Sequence, residues 1–116
     1  MRRTVVIVDD HAAFRSAARA LLQAAGFIVV GEAADGRAAV EAVGELRPDV
    51  VLLDVQLPDF DGFAVAELLP ADGPVIVLTS SRAVSSFRRR LAANPALRFV
   101  AKSDLSAETI AAALAG

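Results

Sequence analysis

The chain contains no cysteine, no tryptophan and no tyrosine, and only one lysine. Without cysteine there is no disulfide scaffold, no thiolate metal centre and no cysteine nucleophile. Without tryptophan or tyrosine, the 55% hydrophobic content rests mainly on alanine, valine and leucine, which suits a core of helices and strands rather than an aromatic binding surface. Neither sign of charge is in large excess: the net charge of −2 creates no global field to draw nucleic acid or an anionic membrane. No apolar run approaches the length of a membrane span. The opening MRRTVVIVDD lacks the long apolar stretch and small-residue cleavage site of a signal peptide. The expectation is a soluble cytoplasmic protein, and 116 residues suit one domain over 1–116 with a core large enough to fold alone.

What the chain does have is concentrated at the ends of its apolar runs. TVVIV ends in Asp9-Asp10, VVLL in Asp54, VIVL in Thr79-Ser80 and LRFVA in Lys102. The other eleven basic side chains are all arginine, so the one lysine stands out just past a buried-looking run.

Strands are expected over 4–8, 27–31, 49–53, 74–78 and 97–101. Four of these five runs are nearly continuous in apolar residues, as parallel strands covered on both faces should be. Helical periodicity fills the gaps. Phe14, Ala17, Ala18, Leu21, Leu22 and Ala25 form one stripe, stopped by Gly26. Ala39, Val40, Val43 and Leu46 form a second, begun near Asp35 and ended before Pro48. A short third helix over 62–69 stops at Pro70; Val84, Phe87 and Leu91 mark a fourth, and Ala107, Ile110, Ala111 and Leu114 a fifth. Arg88-Arg89-Arg90 and Asn94-Pro95 make the fourth helix irregular.

Strand and helix thus alternate five times with no composition break. Such alternation implies an α/β domain with a parallel sheet and helices on both faces. Five units are too few for a closed eight-stranded barrel. A flavodoxin-like three-layer sandwich of order 2-1-3-4-5 is the economical arrangement, with its ligand site beyond the carboxyl ends of the strands. Asp9, Asp10, Asp54, Thr79 and Lys102 would then converge on one rim. Several carboxylates a few ångströms apart raise each other's pKa unless a cation compensates. A hard divalent ion such as Mg²⁺ is the natural remedy, and Lys102 adds a further positive charge. An aspartate oxygen in such a site can attack phosphorus and yield an acyl phosphate, with the Thr79 hydroxyl bonding the new oxygens.

The acidic pair Asp9-Asp10, the segment from Asp54 through Pro58, Asp59 and Gly62, the Thr79-Ser80 pair and Lys102 together resemble the receiver domain of two-component response regulators, over essentially the whole chain. The resemblance implies that Asp54 is the phosphoacceptor, with Mg²⁺ held by Asp10, Asp54 and the Gln56 backbone carbonyl, and by Asp9 through water. It makes Thr79 the switch hydroxyl, Phe99 the aromatic switch position and Lys102 the partner of the phosphoryl group. Gln56 and Ser81 would tune hydrolysis of the acyl phosphate. The donor would be a sensor histidine kinase, and the conformational change would be read on the fourth helix, fifth strand and fifth helix. Such a domain catalyses only its own phosphorylation and dephosphorylation. Asp9-Asp10-His11 with Phe14-Arg15, Gly31-Glu32-Ala33 and Asp35-Gly36 look most like receivers that carry LuxR-type helix-turn-helix output domains; no residues here supply such a domain. Direct contact with nucleic acid or membrane is not expected. A monomer or weak homodimer is, with Arg82, Arg88, Asp104 and Glu108 as candidate charged contacts. The chain departs from the family in carrying Ser103, not proline, after Lys102, and Phe99 has no tyrosine hydroxyl.

Plainer roles compete for each residue. Asp54, Asp9-Asp10 and Thr79-Ser80 are all helix-capping types at strand ends. His11 reads as a partly exposed loop residue, and Arg88-Arg89-Arg90 as a solvated or partner-protein surface. Two other functions compete as well: a docking module that is never phosphorylated, and a metal-dependent phosphohydrolase. Haloacid-dehalogenase-type hydrolases need a second acid two residues after the nucleophile, where this chain has Gln56. A flavin or dinucleotide module is disfavoured by the absence of a Gly-rich loop after the first strand.

Overall fold

The computed structural model describes residues 2–115. Alternation in the sequence becomes alternation along the chain: β1 (Thr4–Val8), α1 (Ala12–Ala24), β2 (Ile28–Ala33), α2 (Gly36–Leu46), β3 (Val50–Asp54), α3 (Gly62–Leu68), β4 (Val75–Ser80), α4 (Arg88–Ala93), β5 (Arg98–Ala101) and α5 (Ala107–Ala115). The strands form one parallel sheet in the order β2-β1-β3-β4-β5.

Continuous apolar strands are explained by the two cores they serve. Val6, Val8, Val51, Leu53 and Leu78 face α2, α3 and Phe87, and Val5, Ile7, Val50, Leu52 and Val77 face α1 and α5 through Ala18, Leu22 and Ile110. Successive side chains of a strand point to opposite faces, so a strand covered on both sides has no polar face to show.

Several expected boundaries move by one or two residues. Phe27 belongs to the exit turn of α1, where its amide bonds the Leu22 carbonyl at 3.0 Å, and β2 runs on to Ala33, which accepts from the Asp9 amide at 3.0 Å. β4 likewise extends through Thr79 and Ser80, paired with Val100 and Ala101 of β5. The fourth helix begins as a 3₁₀ turn over Val84–Phe87 and becomes α-helical only at Arg88.

The helix ends correct the capping expectations. His11 is the N-terminal cap residue of α1, with no side-chain capping bond. Asp35 caps α2 through the Ala38 amide at 2.7 Å, and Asp61, rather than Asp54, caps α3 through Ala64 at 2.9 Å. Asp54, Thr79 and the pair Asp9-Asp10 are thereby left for the rim. No peptide bond among the described residues is cis, that between Lys102 and Ser103 included. No helix among them is long and apolar enough to cross a membrane.

Candidate functional site

Parallel pairing decides which ends meet. Asp54, the last residue of β3, sits opposite Thr79 of β4, and Val8 of β1 opposite Leu53. The carboxyl ends of the central strands are therefore level, and Asp9, the first residue past β1, arrives beside Asp54. Gly62 lets the β3–α3 loop fold back on this rim. Its amide bonds the Val55 carbonyl at 2.8 Å, and a Cβ there would stand 2.5 Å from the Asp54 carbonyl oxygen.

Among the described residues, Asp9, Asp54, Thr79 and Ser80 are the buried polar ones. Lys102, where a 3₁₀ turn follows β5, places Nζ 2.6 Å from Asp9 Oδ2 and 3.4 Å from Asp54 Oδ2. The shorter contact is charge to charge and lies off the line of a directed hydrogen bond. The same ammonium lies 4.4 Å above the Phe14 ring. Asp9 Oδ1 accepts from the His11 amide at 2.8 Å, and Asp54 Oδ1 from the Gln56 amide at 3.2 Å. Thr79 Oγ1 is buried without a hydrogen-bond partner. Such a hydroxyl is costly to leave unsatisfied.

The electrostatics divide the two inner carboxylates. Burial pushes Asp54 up to about 6, with the Asp9 charge adding to the rise against the Gln56 amide and Lys102. Burial also pushes Asp9 up, but Lys102 and the His11 amide outweigh it and hold the carboxyl below its ordinary range. Lys102 is lowered by burial, but Asp9 and Asp54 outweigh that and leave its pKa raised. Asp9 and Lys102 thus form the ion pair, and Asp54 is the carboxylate whose charge is left poorly compensated.

Donor atoms of Asp9, Asp10, His11 and Asp54 all lie within 4.8 Å of one another. Three carboxylates form a hard oxygen set of the kind Mg²⁺ takes, and the uncompensated charge on Asp54 is the kind a dication relieves. The residues present therefore fit a divalent ion.

Every residue expected at this rim is on it or beside it. Gln56 is exposed next to Asp54, and exposed Ser81 lines a groove of 670 Å³ with Val84, Phe99, Ala101, Thr109 and Ala113. Phe99 is half-buried, its ring 5.6 Å from that of Phe87, which in turn lies 5.9 Å from Phe63. Sequence reading did not foresee that His11 Nδ1 sits 3.1 Å from Asp9 and 3.0 Å from Asp10. Arg15, marked in the sequence only as part of the subfamily resemblance, donates to the Asp9 carbonyl at 2.7 Å. Arg88, Arg89 and Arg90 are all exposed as expected, but Arg90 also pairs with Asp61 at 3.0 Å and stacks 4.0 Å over Phe63. The His11 contacts lie within the β1–α1 loop, whereas the Arg90 contacts join residues distant in sequence that no local signal marks.

A doubly wound sheet whose central strand ends present an acid cluster able to hold a metal, a buried hydroxyl and one ammonium is an arrangement able to receive a phosphoryl group. Comparison narrows this further: the model of the response regulator receiver domain matches residues 5–115, and the chain belongs to that family. It is 38% identical over 82 residues to the chemotaxis protein CheY of Thermotoga maritima, covering 70% of this chain and 68% of that one. It is 37% identical over 118 residues to the virulence-factor regulator BvgA of Bordetella pertussis, covering 99% of this chain and 56% of that one. Among solved structures, a LuxR-family response regulator from Aurantimonas sp. SI85-9A1 superposes with a TM-score of 0.85 at 28% identity, over 99% of this chain and 84% of that one. CheY4 of Vibrio cholerae follows with a TM-score of 0.82 at 26% identity, over 99% and 98%. The chain spans about half the length of the transcription regulators it matches. Its family places it in two-component signal transduction as a receiver domain.

Proposed function

We propose that Asp54 is the residue that accepts the phosphoryl group, from a phosphohistidine of a sensor histidine kinase, and that Asp9, Asp10, Thr79 and Lys102 build the site around it. The observation that carries this reading is the buried carboxylate of Asp54 with Lys102 Nζ 3.4 Å from one oxygen and an unpartnered Thr79 hydroxyl on the neighbouring strand.

One Asp54 oxygen forms the new bond to phosphorus as the bond from phosphorus to the donor nitrogen breaks. The imidazole nitrogen keeps that electron pair; with its other ring nitrogen protonated, or by taking a proton from water, it leaves as neutral histidine, and Asp54 carries the acyl phosphate. Transfer of this kind is mainly a matter of position and charge. The Lys102 ammonium neutralises phosphoryl oxygens and Thr79 donates its hydroxyl to one of them, satisfying the buried group. Asp9, Asp10, Asp54 and the Gln56 carbonyl would hold Mg²⁺, which when bound supplies the positive charge that lets carboxylates and phosphoryl oxygens share one pocket. The domain in this reading catalyses only its own phosphorylation and hydrolysis, with Gln56 and Ser81 flanking the path of water.

Drawing Thr79 toward the phosphoryl group would pull on the end of β4, where the 3₁₀ turn and α4 begin. Phe99 packs against Phe87 of that turn, so a shift there reaches the groove between the turn, β5 and α5 by packing alone. The reader of that surface would be an output domain of the LuxR type or a separate protein, with the receiver a monomer or weak dimer.

Incubation with Mg²⁺ and a small acyl phosphate tests the reading by intact mass. A gain of about 80 Da that Asp54→Asn abolishes supports it. Many turnovers of a phosphomonoester would instead identify a hydrolase. Neither labelling nor a beryllofluoride-induced NMR shift would leave a docking module.

A further inference from the structure

The segments Phe14-Arg15 and Glu32-Ala33, set apart in the sequence, meet in the structure. Asp9 has no exposed surface, so its backbone polar groups need partners from the protein. Its amide donates to the Ala33 carbonyl at 3.0 Å, the last rung between β1 and β2. Its carbonyl accepts from Arg15 Nη1 at 2.7 Å. The same guanidinium gives Nε to Glu32 Oε1 at 2.9 Å, and the other Glu32 oxygen takes Arg19 Nε at 2.8 Å. Arg15 is well covered, its side chain 19% exposed. Two neighbouring residues of β2 and two of α1 therefore enclose the peptide groups on either side of the Asp9 side chain.

Geometry gives this ring a consequence for the rim. With both backbone groups held, the Asp9 carboxylate is aimed so that Oδ1 meets the His11 amide and Oδ2 meets Lys102. Arginine suits the task because its planar fork serves two acceptors at once from fixed directions, which an ammonium does not. We infer that Arg15, braced by Glu32, is a positioning residue for the phosphoryl site, setting the placement of Asp9 and hence the affinity of the pocket for its divalent ion. The inference rests on the phosphoacceptor reading above.

Residues that orient a metal ligand without touching the metal typically shift affinity tenfold or more. The test is a Mg²⁺ titration of the isotope-labelled full chain without phosphodonor, following the amide signals of Asp9, Asp10 and Gln56, together with hydrogen exchange of the Asp9 amide. Arg15→Met should weaken Mg²⁺ binding by about tenfold and speed that exchange, and Arg15→Lys should recover part of the loss. Glu32→Gln should weaken binding less than Arg15→Met, and the double variant should be no weaker than Arg15→Met, since Glu32 acts through Arg15. Arg19→Met is the control: it removes a Glu32 partner but not the Asp9 contact, so it should lower stability and leave the Mg²⁺ Kd within about twofold. If Arg15→Met does not fold, Arg15→Lys and Glu32→Gln carry the comparison against Arg19→Met. An unchanged Kd in the Arg15 or Glu32 variants overturns the inference, as does an equal loss in Arg19→Met. A wild-type protein whose Asp9 and Asp10 signals ignore Mg²⁺ overturns the pocket reading itself.

Discussion

Neutralising Asp54 should stabilise the metal-free protein near neutral pH, although it destroys the proposed acceptor. The carboxyl rises from its ordinary 3.8 to about 6, because folding buries it and brings the Asp9 charge alongside. A group whose folded pKa is raised binds protons more readily in the folded state. Its favourable contribution is complete below the unfolded value and is lost as pH rises through the folded one. Above about pH 6 the fold therefore carries an ionised carboxylate that the unfolded chain holds more cheaply. A difference of roughly two pH units is worth at most about 3 kcal/mol. Water at the rim reduces this, and an asparagine side chain in place of Asp54 keeps an acceptor for the Gln56 amide while Lys102 keeps its closer partner Asp9. A net gain of about 1–2 kcal/mol is expected for Asp54→Asn, raising Tm by roughly 5–10 °C for a domain of this size.

The assay is a set of thermal and urea unfolding curves by far-UV circular dichroism in EDTA, between about pH 5 and pH 8. Wild-type stability should fall across the window in which Asp54 ionises, and the asparagine variant should lack that slope. Added Mg²⁺ should narrow or invert the difference, because a ligand of the folded state stabilises the protein that binds it. An asparagine variant less stable than wild type at about pH 7.5 in EDTA, or pH profiles that run parallel, would refute the electrostatic account of the pocket.

Other consequences are structural. Gly62→Ala would press a Cβ to 2.5 Å from the Asp54 carbonyl oxygen and 3.0 Å from Val55 Cα, backbone atoms that cannot turn aside. A loss of about 2–4 kcal/mol in urea unfolding is expected, with weaker Mg²⁺ binding among the molecules that remain folded. Asp35→Ala removes the cap on the Ala38 amide and should cost about 1 kcal/mol while leaving phosphorylation rates unchanged. Phe87→Ala empties the buried position between Phe63 and Phe99; about 3 kcal/mol should be lost in urea unfolding, and the Phe99 ring signals should broaden or shift by NMR.

The legible parts of this protein were those written in local pattern. Continuous apolar runs signal strands with two covered faces, and the helix stripes, stopped by Gly26 and Pro70, signal the layers. Their alternation carries the strand order, so the meeting of Asp9, Asp54, Thr79 and Lys102 at one rim was deducible before any coordinates. Boundaries were less legible. Thr79 and Ser80 read as residues after a strand because they are polar, yet pairing with β5 keeps them in it. Asp54 and Asp61 are both aspartates before a helix, and only the path of the loop assigns the cap to Asp61.

By itself, then, the amino-acid order determined the fold and the composition of the proposed phosphoryl pocket, because periodicity and residue type act over a few neighbours. Tertiary structure alone decided the charges within that pocket and the scaffolding around it. Asp9 pairs with Lys102 while Asp54 keeps its proton more tightly, and Arg15, which holds the Asp9 carbonyl, meets its brace Glu32 only because β2 and α1 pack side by side. Burial and contact across elements depend on where distant segments meet, and no spacing along the chain encodes a distance of 2.7 Å between a side chain and the carbonyl of another element.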